Sequence, residues 1–499
     1  MERDRAITRR VFAAGLVGLT AKAERPIGGS FVNDAFPIGH RLRDRATFAR
    51  PSKQVHIPIV IVGGGIAGLG AAWRLDKRGF RDFVVLEMEP EAGGNARWGE
   101  NDVSRYPWAA HYVPVPSRKS VLVRELFEEL GVLRDGKWDE RMLCFAPQER
   151  LFLHGRWQDG IEPDIGMAAR DREQFRRFDA LMAEHRASGE FAIPIESAER
   201  RPGSQIDGDM QLWMAGNGFD SSYLRWYVNY AFRDDYGASM RDTSAWAGIH
   251  YFASREPEDK GPLTWPEGNG WITRQLLKKL SQYVRVKSPV YRIAREGRRL
   301  RVFTETVEYV AEAVVFAAPT FLAPYVIERA GAAEGFVYSP WLTANLTLEH
   351  PPQERETEPA WDNVIYDSPA LGYVNATHMS LASQRERNVW TYYWSYADYT
   401  PQAARRMLLE KDWSYWKEAI LNDLGRAHPD IRQCVSRVDI MRMGHAMIRP
   451  APGFLTRRAP VVPQVYFANS DLSGISIFEE AQYHGVDAAE RALKAVSRA

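Results

Sequence analysis

Residues Ile59 to Glu87 read IVIVGGGIAGLGAAWRLDKRGFRDFVVLE. A short apolar run, Ile59 to Val62, ends in Gly63-Gly64-Gly65-Ile66-Ala67-Gly68. A helix-like segment from Leu69 to Lys77 follows, then Gly79, then a second apolar run from Phe83 to Leu86, closed by Glu87. Strand, glycine turn, helix, strand and acid in this order form a dinucleotide-binding unit. Gly63 allows the tight turn, Gly65 lets backbone approach a pyrophosphate, and Gly68 lets the helix pack close to the strand. The helix N-terminus, at Ile66 and Ala67, offers free N–H groups and a partial positive charge to the phosphates. Glu87, about 20 residues on, is placed for a ribose hydroxyl, and its charge disfavours a 2′-phosphate.

The bulk properties frame this unit. At 499 residues the chain is too long for one core, so at least two domains are expected. Apolar content of 45% and aromatic content of 12% describe a globular protein, and 16 Trp with 21 Tyr are enough to line a cavity as well as a core. A formal net charge of +1 gives no ground for nucleic acid or an anionic membrane surface as partner. The two cysteines, Cys144 and Cys434, allow at most one disulfide, and no CxxC, zinc spacing or haem-attachment motif is present, so no metal is expected. No apolar run reaches the roughly 18 residues of a spanning helix.

The first residues form a separate unit. Arg3, Arg5, Arg9 and Arg10 make a basic start, Val11 to Thr20 is a short apolar stretch, and Ala21-Lys22-Ala23 is a small-x-small cleavage pattern. Thr8-Arg9-Arg10-Val11-Phe12 resembles the twin-arginine export motif, a route for proteins already folded around a cofactor. Residues 1–23 are therefore expected to be a signal peptide read by the twin-arginine machinery and cleaved near Ala23, with the mature chain periplasmic or otherwise extracytoplasmic.

Residues 24–54 hold Pro, Gly and scattered charge and are expected to form a surface-wrapping lead-in. Ser117–Leu130 and Met167–His185 have helical period, and the aromatic-rich stretch from Leu212 to Phe252 is expected to be helical, so residues 116–264 look like a mostly helical insertion. Beyond Trp265, strands are expected at 284–286, 300–306, 313–318, 341–348 and 389–396, and helices at 272–280, 402–424 and 479–497.

Four separated blocks resemble, in order, the flavin-containing amine oxidase superfamily, which also holds protoporphyrinogen oxidases and phytoene desaturases. The first is the glycine unit with Glu87, continuing into Glu91-Ala92-Gly93-Gly94. The second is Pro266-Glu267-Gly268-Asn269-Gly270. The third is Pro289-Val290 and the strand ending in Ala317-Ala318-Pro319. The fourth is Val465 to Asp471, then Gly474 and the last helix. The resemblance implies an α/β protein: a Rossmann-like FAD-binding domain built from residues 55–115, 265–320 and 455–499, with an interleaved α+β substrate-binding domain over 116–264 and 321–454. It implies FAD contacts at Gly94, at Val290 beside the adenine, at Ala318, and at Asp471 on the ribityl chain. The N-terminal end of the last helix would face the flavin pyrimidine, with Gln482, Tyr483 and His484 there, acting more through backbone N–H groups than side chains.

The chain departs from the family in places. Gly94-Asn95-Ala96-Arg97 stands where many relatives have Gly-Gly-Arg, which moves the phosphate-pairing role to Arg97, with Asn95 beside it as a further cofactor-binding candidate. Asn469-Ser470-Asp471 replaces the usual Gly-acid. The strand on which amine oxidases of this type often carry a lysine near flavin N5 is WLTANLTL here, without lysine. No cysteine follows Cys434, so the FAD is expected to be non-covalent.

Hydride removal from an organic substrate is the chemistry such a flavin supplies. Tyr392, Tyr393, Trp394 and Tyr396 could hold a cationic amine on their faces, line a slot for a polyene, or form a cross-strand core set. Among them Tyr393 and Trp394 are candidates for the site. His111, His378 and His445 could serve as acid or base, or as structural hydrogen-bonding groups. The implied reaction is oxidation of a small-molecule amine or polyamine with electrons passed to oxygen or a quinone. The alternatives are a desaturase or protoporphyrinogen-oxidase-like enzyme on an apolar isoprenoid or polycyclic substrate, and a non-catalytic FAD-binding partner protein.

Overall fold

A computed structural model describes residues 26–497 apart from 33–34, 200–205, 207, 256–260, 354–356 and 381–385. The expected signal peptide lies outside the described residues. The strand Ile59–Val62 is buried at every position. Its run of β-branched residues is what a strand covered on both faces requires. It lies at the centre of a parallel sheet in the order Val284–Arg285, Phe83–Leu86, Ile59–Val62, Ala313–Phe316, Val465–Phe467. The sheet thus gathers strands from three distant parts of the chain.

The glycine turn makes this packing possible. Gly63 has φ +105°, a conformation open to glycine. A Cβ on Gly68 would sit 1.9 Å from the Gly63 carbonyl oxygen, so the helix Ile66–Lys77 can lie against the first strand only without a side chain there. The C-terminal helix Phe478–Val496 crosses the same helix just as closely: a Cβ on Gly485 would lie 2.1 Å from the Ala67 carbonyl oxygen.

The helix Val121–Glu129 packs into this core through Val123, Leu126 and Phe127, and Phe127 stacks on Phe478 with ring centroids 5.8 Å apart. These residues therefore pack with the dinucleotide half and not with the helices that follow. A small sheet, Lys53–His56, Val307–Ala311, Arg299–Phe303 and Arg292–Glu296, covers one side.

The second half is built on a seven-stranded sheet in the order Arg156–Asp159, Glu149–Leu153, Asp362–Ile365, Gly372–Asn375, Asn388–Ser395, Tyr338–Leu348, Val435–Ile448. Its neighbours are antiparallel except for Glu149–Leu153 with Asp362–Ile365. The stretch 116–264, expected to be mostly helical, thus supplies two strands of this sheet. The helices Ala169–Ala187, Met210–Gly216, Ser222–Asp235 and Ala245–Ala253 enclose a separate aromatic and Met core. Residues 24–54 are more than a surface strap: Phe36–Arg43 is a helix and Lys53–His56 a strand. Among the described residues no helix is long and apolar enough to cross a membrane.

Candidate active site

A cleft of about 820 Å³ runs along the carboxyl ends of the parallel strands. Gly63, Gly65, Ile66, Ala67, Glu87, Gly94, Asn95, Arg97, Val290, Ala318 and Asp471 all line it. The first intrahelical bond after the turn runs from Leu69 N–H to the Gly65 carbonyl at 2.9 Å. The N–H groups of the first turn are thus left for a ligand, as at any helix start. A Cβ on Gly65 would meet only Gly94 Cα, at 3.8 Å, so this glycine is required by the space in front of it and not by the packing behind.

Glu87 is buried, and its carboxylate is tied to the turn. Oε2 accepts the Gly64 N–H at 2.7 Å and Oε1 the Glu89 N–H at 2.8 Å. Burial raises its pKa, opposed by these two N–H groups. Arg97 has Nη1 3.4 Å from Glu89 Oε2 and donates from Nε to the Gly94 carbonyl at 3.0 Å, which holds the guanidinium at the cleft wall. Asp471 is fully enclosed. Oδ1 accepts from Thr320 Oγ1 at 2.8 Å, and Oδ2 accepts the Thr320 N–H at 2.7 Å and the Tyr338 hydroxyl at 2.5 Å. This leaves Oδ1 one lone pair for a ligand hydroxyl.

The cleft has a basic outer wall that sequence reading missed. His40 and Arg43 come from the helix Phe36–Arg43, Arg405 and Arg406 from the helix Pro401–Glu410, and Arg442 from the long strand Val435–Ile448. The basic run Arg41-Leu42-Arg43 was the available signal. His445 stands in this wall, stacked on Phe321 with ring centroids 4.3 Å apart. Burial and then the charge of Arg405 lower its pKa to about 4, so it is neutral at neutral pH.

A smaller cavity of about 120 Å³ adjoins the inner end of the cleft and shares Asn95, Ala110, Asn269 and Phe478 with it. Its further walls are His111, Tyr112, Tyr393, Trp341, Asp234, Asp235, Arg255 and Glu479. His111 stacks on Tyr393 at 4.6 Å between centroids, and burial lowers its pKa to about 4. It is therefore a neutral aromatic wall near neutral pH. The Tyr393 hydroxyl donates to the Ala109 carbonyl at 3.0 Å. Trp341, on the strand without lysine, faces this cavity, and its Nε1 makes no hydrogen bond.

Three carboxylates and one guanidinium set the charge here. Arg255 donates to Asp235 at 2.7 Å, and the Tyr112 hydroxyl reaches the same carboxylate at 3.2 Å. Asp234 opens into the cavity, and its pKa is raised to about 7 by burial and then by the Asp235 charge, with Arg255 opposing. Burial raises Glu479 to about 7 as well. Asn269 Oδ1 and Glu479 Oε2 are buried without a hydrogen-bond partner, so two acceptors border the place where a donor-bearing ligand would sit.

Several expected site residues lie elsewhere. His378 is held by its Nε2 against the Phe145 carbonyl at 2.8 Å and lines neither cavity. Trp394 packs between Tyr396 and Trp416 in the core behind the large sheet, because alternate side chains of its strand point to opposite faces. Tyr393 faces the cavity for the same reason. Gln482 donates to the Leu122 carbonyl at 3.2 Å, and Tyr483 packs beside His484. Both lie one turn beyond the cleft, whose contacts from this helix are Phe478 and Ala481. Gly68 acts through packing alone.

Residues 61–130 match the family described as NAD(P)-binding Rossmann-like domain. The chain is 29% identical over 133 residues to a Baeyer-Villiger monooxygenase of Penicillium patulum, covering 26% of this chain and 20% of that protein. It is 23% identical over 280 residues to a flavin-containing amine oxidase of Oncorhynchus mykiss, covering 52% of this chain and 50% of that one. The chain thus spans a fifth to a half of these relatives. A solved structure of wild-type putrescine oxidase bound to putrescine superposes with a TM-score of 0.65 at 15% identity, over 88% of this chain and 100% of that one. The chain thus shares the fold of that solved structure, with a Rossmann-like dinucleotide-binding domain.

Proposed function

We propose that this protein is an FAD-dependent oxidoreductase that removes hydride from a small amine and passes the electrons to oxygen or a quinone. The observation that carries the reading is the charge of the inner cavity: three acids against one arginine, in a volume of about 120 Å³ at the end of the dinucleotide cleft. An engineered apolar cavity of about 150 Å³ holds a benzene ring, so a group of that order enters here. A polycycle or long polyene would need more room. That size favours an amine over the isoprenoid or tetrapyrrole reading.

FAD fits the cleft because the residues are paired with its parts. Glu87 stands for the ribose, the glycine turn and Arg97 for the pyrophosphate, Asp471 for the ribityl chain, and Asn95, Ala110 and Phe478 border the ring. Neither cysteine lines the cleft, and both are buried, in keeping with non-covalent attachment. Bound FAD supplies the two-electron acceptor.

The chain's own residues do the rest. Asp234 and Glu479, ionised, attract an ammonium group into the cavity. An amine must be neutral before its nitrogen can support loss of hydride. With a pKa of about 7, Asp234 is suited to take up the ammonium proton. His111, Tyr393 and Trp341 close the apolar walls and exclude water. The twin-arginine leader is the ground for placing the mature enzyme in the periplasm.

Anaerobic mixing of the flavin-loaded protein with small mono- and diamines tests the proposal. Bleaching of the flavin band by amines supports it. Bleaching only by apolar donors, or by none, overturns it.

A further inference from the structure

Outside both cavities, Glu480 and His484 on the helix Phe478–Val496 meet Glu196 from the single turn Ile195–Ser197. One ligand-capable atom from each lies within 4.8 Å of the others. His484 Nε2 is 3.4 Å from Glu196 Oε1 and 3.9 Å from Glu480 Oε2. Spacing of i and i+4 puts Glu480 and His484 on one helix face, and Glu196 closes the triangle from a segment about 280 residues away by chain order.

The polar bookkeeping at this point is unfinished. Glu480 is completely buried. Its Oε1 accepts the Ile195 N–H at 2.8 Å, while Oε2 has no hydrogen-bond partner. His484 is 9% exposed, and its Nε2, aimed between the two carboxylates, has none either. A buried carboxylate oxygen and a buried imidazole nitrogen facing each other unpaired is a costly arrangement. A divalent cation between them would satisfy both.

We propose that Glu196, Glu480 and His484 form a binding site for a divalent transition-metal ion, with Zn2+ as its representative. Ligand bonds of about 2.0–2.1 Å around a tetrahedral ion separate ligand atoms by roughly 3.3 Å. The Glu196–His484 distance of 3.4 Å is already close to that value, and the Glu480–His484 distance of 3.9 Å is a little longer. Three protein ligands leave an open position, and Glu196 is partly exposed, which gives the ion a path in from solvent. The imidazole selects against Mg2+ and Ca2+. The ion clamps the segment Phe191–Ser197 onto the C-terminal helix, one residue from Glu479 in the cavity wall. Sequence spacing could not show this site, because the third ligand is remote and the motif has no cysteine.

The test uses the flavin-loaded protein, freed of metal by chelator and dialysed. Titration with Zn2+ in a calorimeter is expected to show one equivalent bound with Kd on the order of a micromolar or tighter, together with a raised Tm. Both Glu196→Gln and His484→Ala are expected to weaken binding at least about tenfold while flavin content stays unchanged. Glu196→Gln alters a partly exposed side chain and keeps the test valid if His484→Ala folds poorly. No stoichiometric binding by the parent protein, or equal affinity in the folded variants, would overturn the site.

Discussion

Asp235 and Arg255 form a 2.7 Å pair in the wall of the inner cavity, so the one guanidinium among the described residues lining it is matched to one acid. Asp234 and Glu479 feel the same guanidinium through space but form no ion pair of their own among the described residues. In the proposed reaction, the charge of an amine would be met by those two groups.

Asp234→Asn should therefore raise KM for an amine substrate. A charge-assisted contact in a partly buried site contributes about 1.5–3 kcal/mol, which corresponds to roughly ten- to a hundredfold. Flavin content should be unchanged, because Asp234 does not line the cofactor cleft. Steady-state kinetics on the holoenzyme checks this, and an unaltered KM with an altered flavin content would place the residue in the wrong cavity.

The pH dependence follows from the same two acids. Burial raises both to about 7. Below that they are neutral and attract no cation, so kcat/KM for an amine should climb with pH through a limb near 7. Asp234→Asn should shift or flatten the limb. The stability of the ligand-free protein should move the other way. A carboxyl with a raised folded pKa binds its proton more tightly in the native state, so stability falls as pH rises from about 4 to about 7. Thermal denaturation across that window, with and without an amine inhibitor, reads the difference.

Two glycines of the turn should fail differently. Gly68→Val places its Cβ 1.9 Å from the Gly63 carbonyl oxygen and should destabilise the fold by more than the roughly 1–3 kcal/mol of ordinary overpacking. Gly65→Asp meets open space and should leave a folded but colourless protein, because its carboxylate enters the phosphate position. Circular dichroism and the flavin-to-protein absorbance ratio separate the two effects. A yellow Gly65→Asp protein would count against the turn as the phosphate site.

Asp471→Ala removes the acceptor for Thr320 and Tyr338, stranding two buried hydroxyls and a backbone N–H. The loss should be about 3 kcal/mol, seen as a lower denaturation midpoint even without flavin. Tyr338→Phe, which removes only one of the three donors to Asp471, should cost about 1 kcal/mol. If both variants match the parent, Asp471 does not join the large sheet to the parallel one.

The first glycine turn was legible because local geometry demands it: Gly63, Gly65, Gly68 and Glu87 each answer a constraint set within the unit. Val290, Ala318 and Asp471 were reachable through the family resemblance, which carries the strand ends on which they sit. The inner cavity was not legible. Asp234, Asp235 and Glu479 come from two helices far apart in the chain, and nothing local marks an acid that will be buried. His378 and Trp394 misled for a related reason: a residue type suited to catalysis says nothing of which face of a strand it occupies. The helix Phe36–Arg43 was read as a strap because its short, polar sequence shows no core-facing stripe; it buries only Leu42 and presents its basic groups to the cleft instead.

Denaturing the purified protein and identifying the released nucleotide bears most directly on all of this. Release of FAD at close to one equivalent, with none left on the polypeptide, is the expected result. A colourless preparation that releases no flavin and takes up none when FAD is added would contradict it.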